Sequence, residues 1–151
     1  MIHKLSDVQS KNIGKDTKIW QFCVVLPGAK IGENCNICAG CYIENQVVIG
    51  NNVTLKNGVY LWDGITVEDN VQIGANANFI NDNYPRAKQP FVLQRILIKK
   101  YASIGAGATL KGGITIGEYA MIGAGSVVTK DVPSGELWVG NPARFVRKID
   151  K

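Results

Sequence analysis

Aliphatic or aromatic residues recur at every sixth position along most of the chain. One series of twelve such positions runs from Ile13 to Phe79, and a second series of six runs from Ile98 to Val128. An α-helix would spread positions six apart around its whole circumference, whereas a strand, with a period of two, keeps them on one face. The pattern therefore predicts short strands, and no helix, over the repeat region.

From Cys23 onward, small or apolar residues also lie two positions before the members of these series, as at Cys35, Val53 and Ala108. Between them come Gly, Asn, Asp and Glu, which favour turns. Each hexapeptide would then form one side of a triangular prism, and three sides would make an 18-residue coil. Stacked coils would pair as parallel strands about 4.8 Å apart. The prediction is an all-β fold, a left-handed parallel β-helix of about six coils.

The register breaks once, because Phe79 and Ile98 are separated by 19 residues. The intervening segment is polar and contains two prolines, so we expect a projecting loop, and long loops in compact domains are often functional. After Pro133 the repeat stops, and a short C-terminal helix is expected over residues 144–149. We predict a single domain, 1–151, with a first β-helix block at 13–84, the loop at 80–97, a second block at 98–133 and a tail at 134–151.

The composition and charge of the chain limit where the protein can act and what it can bind. The chain of 151 residues is 46% hydrophobic, enough for one core, and it shows neither a signal-peptide pattern nor an apolar run long enough to span a membrane. A cytoplasmic protein with no membrane association is expected. The net charge of +5 favours an anionic partner. Because the basic residues form no stripe, a small phosphorylated ligand fits better than nucleic acid.

Several motifs resemble those of known enzymes. The segments GAGSVVTKDVP at 123–133 and VGNPAR at 139–144 resemble the acetyl-CoA end of the hexapeptide-repeat acyltransferases. The segments IWQFC at 19–23, LWDGIT at 61–66 and NDNYPR at 81–86 are similar to nucleotide-linked 3-amino-3,6-dideoxyhexose 3-N-acetyltransferases. The resemblance implies acetyl-CoA as co-substrate, a nucleotide-linked (dTDP-linked) amino sugar as acceptor, and a homotrimer.

Histidine usage bears on the acceptor. Many members of this family use a histidine base, and the family pattern often has His at the position of Gly40, but the single histidine here is His3, ahead of the first repeat. A hydroxyl needs a base to become a nucleophile, whereas an unprotonated amine already carries a lone pair. The sequence therefore favours N-acylation, driven by positioning of amine and thioester and by hydrogen bonds to the oxyanion.

Residues 18 apart should stack in columns, which places a polar cluster at the root of the loop. The predicted catalytic residues are Asn81, Asp63 and Asp82. The predicted residues on the nucleotide-sugar side are Glu44, Asn45, Trp62, Tyr84 and Arg86. The alternative interpretation is a row of solvated turn residues or an asparagine ladder, since these residue types also favour corners for local reasons.

A column of small residues is the predicted acetyl-CoA site, because residues of this size let a pantetheine arm approach the backbone. The column consists of Gly105, Ala106 and Gly107 stacked below Gly123, Ala124 and Gly125. Lys130, Arg144 and Arg147 are predicted to bind the CoA phosphates, and the resemblance adds Asn141 and Pro142. The alternative for the basic residues is a solvated tail.

The spacing Cys35-x-x-Cys38-x-x-Cys41 suggests metal ligands, but the register places these thiols on different sides of the prism or outside it. We therefore predict no metal site, and buried cysteines acting as small apolar residues.

Two other functions remain open. One is acetylation of a UDP-linked amino sugar or another small amine or hydroxyl acceptor, and the other is a non-catalytic trimeric β-helix scaffold.

Overall fold

The computed structural model describes residues 1–150, and all of their regular secondary structure is β-strand. In chain order the strands are β1 (Asp7–Val8), β2 (Asn12–Ile13), β3 (Lys18–Ile19), β4 (Val24–Val25), β5 (Lys30–Ile31), β6 (Asn36–Ile37), β7 (Tyr42–Ile43), β8 (Val48–Ile49), β9 (Thr54–Leu55), β10 (Tyr60–Leu61), β11 (Ile65–Val67), β12 (Gln72–Ile73), β13 (Asn78–Phe79), β14 (Ile96–Ile98), β15 (Ser103–Ile104), β16 (Thr109–Leu110), β17 (Thr115–Ile116), β18 (Met121–Ile122), β19 (Val127–Val128), β20 (Glu136–Gly140) and β21 (Ala143–Lys148).

The strands stack into three faces. The first face contains β1, β4, β7 and β10 in one sheet and β13, β16 and β19 in another. The second face contains β2, β5, β8, β11, β14 and β17, and the third contains β3, β6, β9, β12, β15, β18, β20 and β21. Within each sheet, the strands of successive coils pair in parallel, as Ile19 does with Ile37. The predicted all-β, parallel coiled architecture is confirmed. Strand pairing does not depend on the hand of the coil, so the left-handed sense stays a prediction.

The structure makes about seven turns, where the sequence predicted about six. The additional turn precedes Ile13. Ile2 bridges to Ile19, and Val8 pairs with Val25. This turn is shorter than the later coils by a single residue, so a search in steps of six from Ile13 does not detect it.

The core is a continuous stack of the inward residues of the hexapeptides. Ile19, Ile37, Leu55 and Ile73 follow one another along the third face with no solvent exposure. At roughly 1.5–3 kcal/mol for each large side chain removed from water, this stack is the main source of stability. The regular prism therefore presents its functional groups at the corners and on the outer strand positions.

The loop is an insertion into one coil. The strands before and after it still pair across the inserted segment, as Phe79 does with Leu110, so the coil that contains the loop is longer than the others. The chain leaves the prism after β13 and returns at β14. The first face is divided into its two sheets between β10 and β13, close to where the loop departs.

The predicted C-terminal helix is wrong. Residues 144–148 belong to β21, which pairs antiparallel with β20 in a hairpin. The reason is that β20 extends the third face by pairing with β18, which leaves an open edge whose backbone groups β21 satisfies. Phe145 and Val146, a ring and a β-branched side chain, suit this strand. Lys151, the last residue of the predicted tail, lies outside the described residues.

Over residues 1–150, the structure contains no helix with the length and apolar character needed to cross a membrane.

Candidate functional site

The corner between the first and second faces carries the predicted acceptor cluster, and we call it the loop corner (residues 44–46, 62–64, 80–83 and 111–113). The Asp63 backbone N–H donates to Glu44 Oε2 at 2.7 Å, and Asp63 Oδ1 accepts from the Gln46 N–H at 2.8 Å. One coil earlier, the Gly28 N–H donates to Asn45 Oδ1 at 2.9 Å. The structure thus brings these residues together, but these three oxygens hold adjacent coils to one another, as the turn-residue interpretation expects.

Asn81 joins the loop to this corner. Its Nδ2 donates to the backbone oxygen of Asp63 at 3.1 Å, and its own backbone oxygen accepts from the Gln94 N–H at 2.9 Å. Asn81, which is half-buried, therefore connects three parts of the chain. Its backbone oxygen joins the start of the loop to its end, and its side-chain amide joins the loop to the preceding coil. The amide oxygen at the tip of Asn81 is the group that can face a ligand.

A second side-chain amide, that of Asn83, anchors the loop to the following coil. Asn83 Nδ2 donates to the Gly112 carbonyl at 3.1 Å, and the Gly112 N–H donates to Asn83 Oδ1 at 3.0 Å. A side chain at position 112 would not fit, because its Cβ would lie 2.5 Å from the Gln94 Cβ. Between the two anchors, Asp82 Oδ1 accepts from the Tyr84 N–H at 3.1 Å and forms a tight turn.

A cleft of about 520 Å³ opens between the loop and the first face, and we call it the loop cleft. It is lined by Ile80, Asp82, Asn83, Tyr84, Pro85, Thr109, Lys111, Val127 and Thr129. Asp82 is the only one of the three predicted catalytic residues that lines it. A carboxylate, an ammonium group and three hydroxyls in one cleft can orient a polar substrate and transfer a proton.

Sequence reasoning missed Thr109, Lys111 and Thr129. They lie beside inward residues of β16 and β19, so the column argument could have found them. The signal was hidden because the insertion lengthens the stacking offset at this level, where Asn78 pairs with Thr109.

The two predicted substrate-side residues on the loop, Tyr84 and Arg86, are both exposed. Tyr84 is 83% exposed. Arg86 is exposed too, and its guanidinium donates to the adjacent Pro85 carbonyl at 3.0 Å. Trp62, in contrast, is half-buried against the core. Of the predicted substrate-side residues, the structure groups Glu44, Asn45 and Trp62, while Arg86 lies on the exposed loop.

The predicted acetyl-CoA column forms the corner between the third and first faces, which we call the glycine corner (residues 105–107 and 123–125). A Cβ on Gly105 would lie 2.5 Å from the Ala124 nitrogen, so adjacent coils approach too closely for any side chain there. Gly107 and Gly125 adopt φ of 67° and 68°, with open space where a Cβ would point. The corner is therefore a smooth, exposed strip of backbone.

The β20–β21 hairpin closes one end of the glycine corner. The Gly140 N–H donates to Ser126 Oγ at 3.0 Å, and a Cβ on Gly123 would lie 2.7 Å from a methyl of Val139. Asn141 and Pro142, joined by a cis peptide bond, form the exposed tip of this hairpin. The structure thus places them beside the glycine corner.

The predicted phosphate-binding cations are distributed over two corners. Arg144 and Arg147 are exposed on β21, the second strand of the hairpin that closes the glycine corner. Lys130 is different, because β19 separates it from Gly125: the glycine precedes the strand and the lysine follows it. Within one chain, Lys130 lies with the loop corner, across the first face from the glycine corner.

The cysteines lie mostly in the core. Cys23, Cys35 and Cys41 are buried, Cys38 is half-buried, and none is in a disulfide. Burial raises the pKa of the Cys35 thiol, while a hydrogen bond with Cys41 lowers the pKa of Cys23 to about 7 and raises that of Cys41. Within residues 1–150, no group of three or more His, Cys, Asp or Glu side chains is arranged to hold a metal ion.

Comparison with protein families agrees with this architecture. The family model described as bacterial transferase hexapeptide (six repeats) matches residues 10–45, 46–81 and 95–130. These segments cover most of the chain and leave out most of the projecting loop. The chain belongs to this hexapeptide-repeat transferase family.

Among individual proteins, the dTDP-3-amino-3,6-dideoxy-alpha-D-galactopyranose 3-N-acetyltransferase of Aneurinibacillus thermoaerophilus is 55% identical over 145 residues, covering 95% of this chain and 76% of that protein. A hexapeptide-repeat acetyltransferase from Vibrio cholerae superposes with a TM-score of 0.68 at 27% identity, covering 93% of this chain and 74% of that one. AntD, an N-acyltransferase from Bacillus cereus solved with dTDP and 3-hydroxybutyryl-CoA, shares the fold with a TM-score of 0.64 at 20% identity, covering 99% and 79%.

Proposed function

We propose that this protein transfers an acetyl group from acetyl-CoA to the 3-amino group of a dTDP-linked 3-amino-3,6-dideoxyhexose. The observation that carries the proposal is the 55% identity, over 95% of the chain, to an enzyme named for this activity. We place the reaction in the cytoplasm, a reducing compartment that suits four free cysteines.

The position of the only histidine supports an amine acceptor. The His3 backbone N–H donates to the Ile19 carbonyl, and His3 Nδ1 accepts from the Leu5 N–H at 3.1 Å, at the N-terminal end of the coil. The glycine corner and the loop cleft belong to later coils. An amine can attack the thioester without a histidine base, whereas a hydroxyl needs one.

In the proposed reaction, the amine lone pair attacks the thioester carbonyl carbon. A C–N bond forms, the C–S bond breaks, and CoA leaves as the thiolate. The Asp82 carboxylate accepts the proton from the nitrogen and passes it to the thiolate or to water. The Asn81 amide oxygen accepts a hydrogen bond from the amine and aligns its lone pair, while Asp63, Glu44 and Asn45 hold the corner rigid.

On the donor side, the pantetheine arm of acetyl-CoA follows the glycine corner. Ala106, Ala124 and the exposed glycines leave the backbone accessible there, and the hairpin tip at Asn141 and Pro142 bounds the groove. Arg144 and Arg147 bind the phosphates, with the planar guanidinium suited to two-point contact.

The two halves of this site lie at different corners of one chain, with the first face between them. We therefore propose a homotrimer in which the loop corner of one subunit faces the glycine corner of its neighbour. This arrangement also gives Lys130 a role, because it brings this lysine from one subunit close to the acetyl-CoA bound mainly by the next. The exposed loop, including Tyr84 and Arg86, then closes over the nucleotide sugar from across the interface.

A thiol-release assay tests the proposed function. With acetyl-CoA, the dTDP-linked 3-amino sugar should react, its 3-hydroxy analogue should not, and a UDP-linked amino sugar should react with lower kcat/KM. Asp82→Asn should lower kcat about 100-fold, the low end for a proton-transfer group, with the KM for acetyl-CoA unchanged. His3→Ala is the control and should keep wild-type turnover. Equal rates with the 3-hydroxy analogue, or no thiol release with any amino sugar, would contradict the proposal.

A further inference from the structure

The strip of bare backbone at the glycine corner extends one coil further toward the N-terminus. One coil before residues 105–107 come residues 74–76, with the sequence Gly-Ala-Asn. A Cβ on Gly74 would press on the Ala106 nitrogen, so this coil excludes a side chain at its first turn position as the later coils do. The groove proposed for acetyl-CoA can therefore continue to residues 74–76.

The strip ends at the next coil, residues 56–58. Where the later coils have glycine and alanine, this coil has Lys56 and Asn57, and both are exposed. Gly58 is also closed off, because the side-chain oxygen of Asn76 occupies the position that a Cβ on Gly58 would need. The Asn76 backbone N–H donates to the Asn57 carbonyl at 3.0 Å, which fixes the two coils to one another. We call Lys56, Asn57 and Asn76 the polar floor.

The polar floor lies at the level of the proposed reaction. The chain passes from residues 74–76 through β13 directly to Asn81 and Asp82, so the end of the strip and the acceptor groups belong to one coil. In the proposed trimer the coils of neighbouring subunits run side by side, and the amine held by one subunit meets the thioester near residues 74–76 of the next.

The length of the strip suits this placement. Three coil spacings, roughly 14 Å at the usual distance between strands, separate residues 74–76 from the β20–β21 hairpin that closes the other end. An extended pantetheine arm spans such a distance. A donor whose phosphates lie at the hairpin therefore has its thioester at the last open coil, with the polar floor directly beyond it.

The acyl chain of the donor points away from the pantetheine arm, and hence toward the polar floor. The methyl of an acetyl group ends on the strip. Each further methylene would lie against the ammonium group of Lys56 and the amides of Asn57 and Asn76. An apolar chain would remove these groups from water and offer them no hydrogen bond in return, which is unfavourable.

We infer that the polar floor selects the donor by acyl length and restricts it to acetyl-CoA; this inference rests on the proposed function. Asparagines in left-handed turns also occur at the corner between the second and third faces, as at Asn52 and Asn70. Those asparagines continue a column of polar turn residues, whereas Asn76 lies where a strip of glycine and alanine stops. The position of the floor, and not its residue types alone, gives it this role.

A panel of acetyl-, propionyl- and butyryl-CoA with the dTDP-linked 3-amino sugar tests the inference by thiol release. The wild type should show kcat/KM for butyryl-CoA about 100-fold below that for acetyl-CoA. The triple variant Lys56→Gly, Asn57→Ala, Asn76→Gly gives both coils the Gly-Ala-Gly sequence of residues 105–107. Its ratio of kcat/KM for butyryl-CoA over acetyl-CoA should rise about 10-fold.

Calorimetry without acceptor supplies a readout that does not depend on turnover. The Kd of butyryl-CoA relative to that of free CoA should fall about 10-fold in the triple variant. Asn57→Ala alone, a change at an exposed side chain, should shift both ratios in the same direction and covers the case in which the triple variant does not fold.

Asn70→Gly is the matched control for Asn76→Gly. Asn70 has φ of 61° and Asn76 has φ of 57°, but Asn70 lies at the corner between the second and third faces. This variant should keep the wild-type preference among the three thioesters.

Two results would overturn the inference. One is a wild type that uses butyryl-CoA as well as acetyl-CoA. The other is an unchanged preference, in both kcat/KM and Kd, in Asn57→Ala and in a folded triple variant. Failure of the proposed function would look different, since the wild type would then release no thiol from acetyl-CoA with any nucleotide-linked amino sugar, while calorimetry with the thioesters would still report on the floor.

Discussion

At the scale of single residues, the stability of the coil depends on which side chains fit between one turn and the next. Gly105 and Gly107 are close neighbours in the sequence but differ in this respect. A Cβ on Gly105 would press on the backbone of Ala124, whereas a Cβ on Gly107 would point into open space from a left-handed backbone. The first position excludes any side chain, and the second excludes only residues that disfavour positive φ.

We therefore expect Gly105→Ala to destabilise the fold by about 1–3 kcal/mol, the range for overpacking a tight site. Gly107→Asn should change the free energy of unfolding by less than about 0.5 kcal/mol, because Asn76 already adopts φ of 57° in the same column. Urea unfolding of both variants checks this. Equal losses in the two would contradict the distinction between coil contact and turn conformation.

The Cys35 thiol should make the free energy of unfolding depend on pH, and the direction of its pKa shift sets the sign of that dependence. Burial raises the pKa of its thiol above the ordinary value of 9.0, so the folded protein keeps the proton after the unfolded chain has lost it. The stability that this contributes is complete below pH 9 and is lost as the pH rises toward the folded-state pKa. Cys35→Val, which continues the column with Val53, removes the effect.

We expect wild type and Cys35→Val to show parallel free energies of unfolding from pH 7 to about 8.5, measured under reducing conditions. Above that, the wild type should lose stability relative to the variant, because other groups titrate equally in both. A constant difference up to pH 10 would show that the Cys35 thiol titrates normally in the folded state.

At the scale of elements, the hexapeptide period predicted the regular coils because every six-residue repeat carries the same pattern of inward and turn residues. Elements outside the period were missed for identifiable reasons. The first turn, where Val8 pairs with Val25, is out of step with the later coils, and the hairpin strand β21 exists because β20 needs a partner, which depends on tertiary context. Likewise, Asn81 was predicted at the root of the loop, but its bond to the Asp63 carbonyl could not be read from a column of turn residues.

The loop is an element held by few contacts, and Asn83 supplies two of them through Gly112. Asn83→Ala removes both and leaves a backbone N–H without its acceptor, a loss of about 1–3 kcal/mol that falls on the loop. We expect lower kcat and faster tryptic cleavage at Arg86 and Lys88. Limited proteolysis beside steady-state kinetics measures both effects.

Asn51→Ala is the matched control for this prediction. Asn51 Oδ1 accepts from the Glu33 N–H at 2.8 Å, a coil-to-coil bond of the same kind at another corner. It should lower the unfolding midpoint without changing loop cleavage or kcat. Equal loop cleavage in the two variants would show that the Asn83 anchor acts on global stability alone.

At the scale of the whole molecule, the prism separates what the reaction must bring together. Asp82 lines the cleft at one corner, and Ala124 lies on the glycine strip at another, with the first face between them. The sequence predicted both groups of residues, since columns follow from the period. Their separation depends on which side of the prism each column borders, and assembly into a trimer is the proposed means of joining them.

Mixed trimers test this proposal directly. Asp82→Asn inactivates the acceptor half of a site, and Ala124→Trp fills the donor groove, so each variant alone should be inactive. If each site is built from the loop corner of one subunit and the glycine corner of the next, any trimer containing both variants has one intact site of three. Co-expression with two affinity tags and sequential purification isolates such trimers, and they should show about a third of wild-type turnover. Mixed trimers no more active than either parent would place both halves of the site within a single chain.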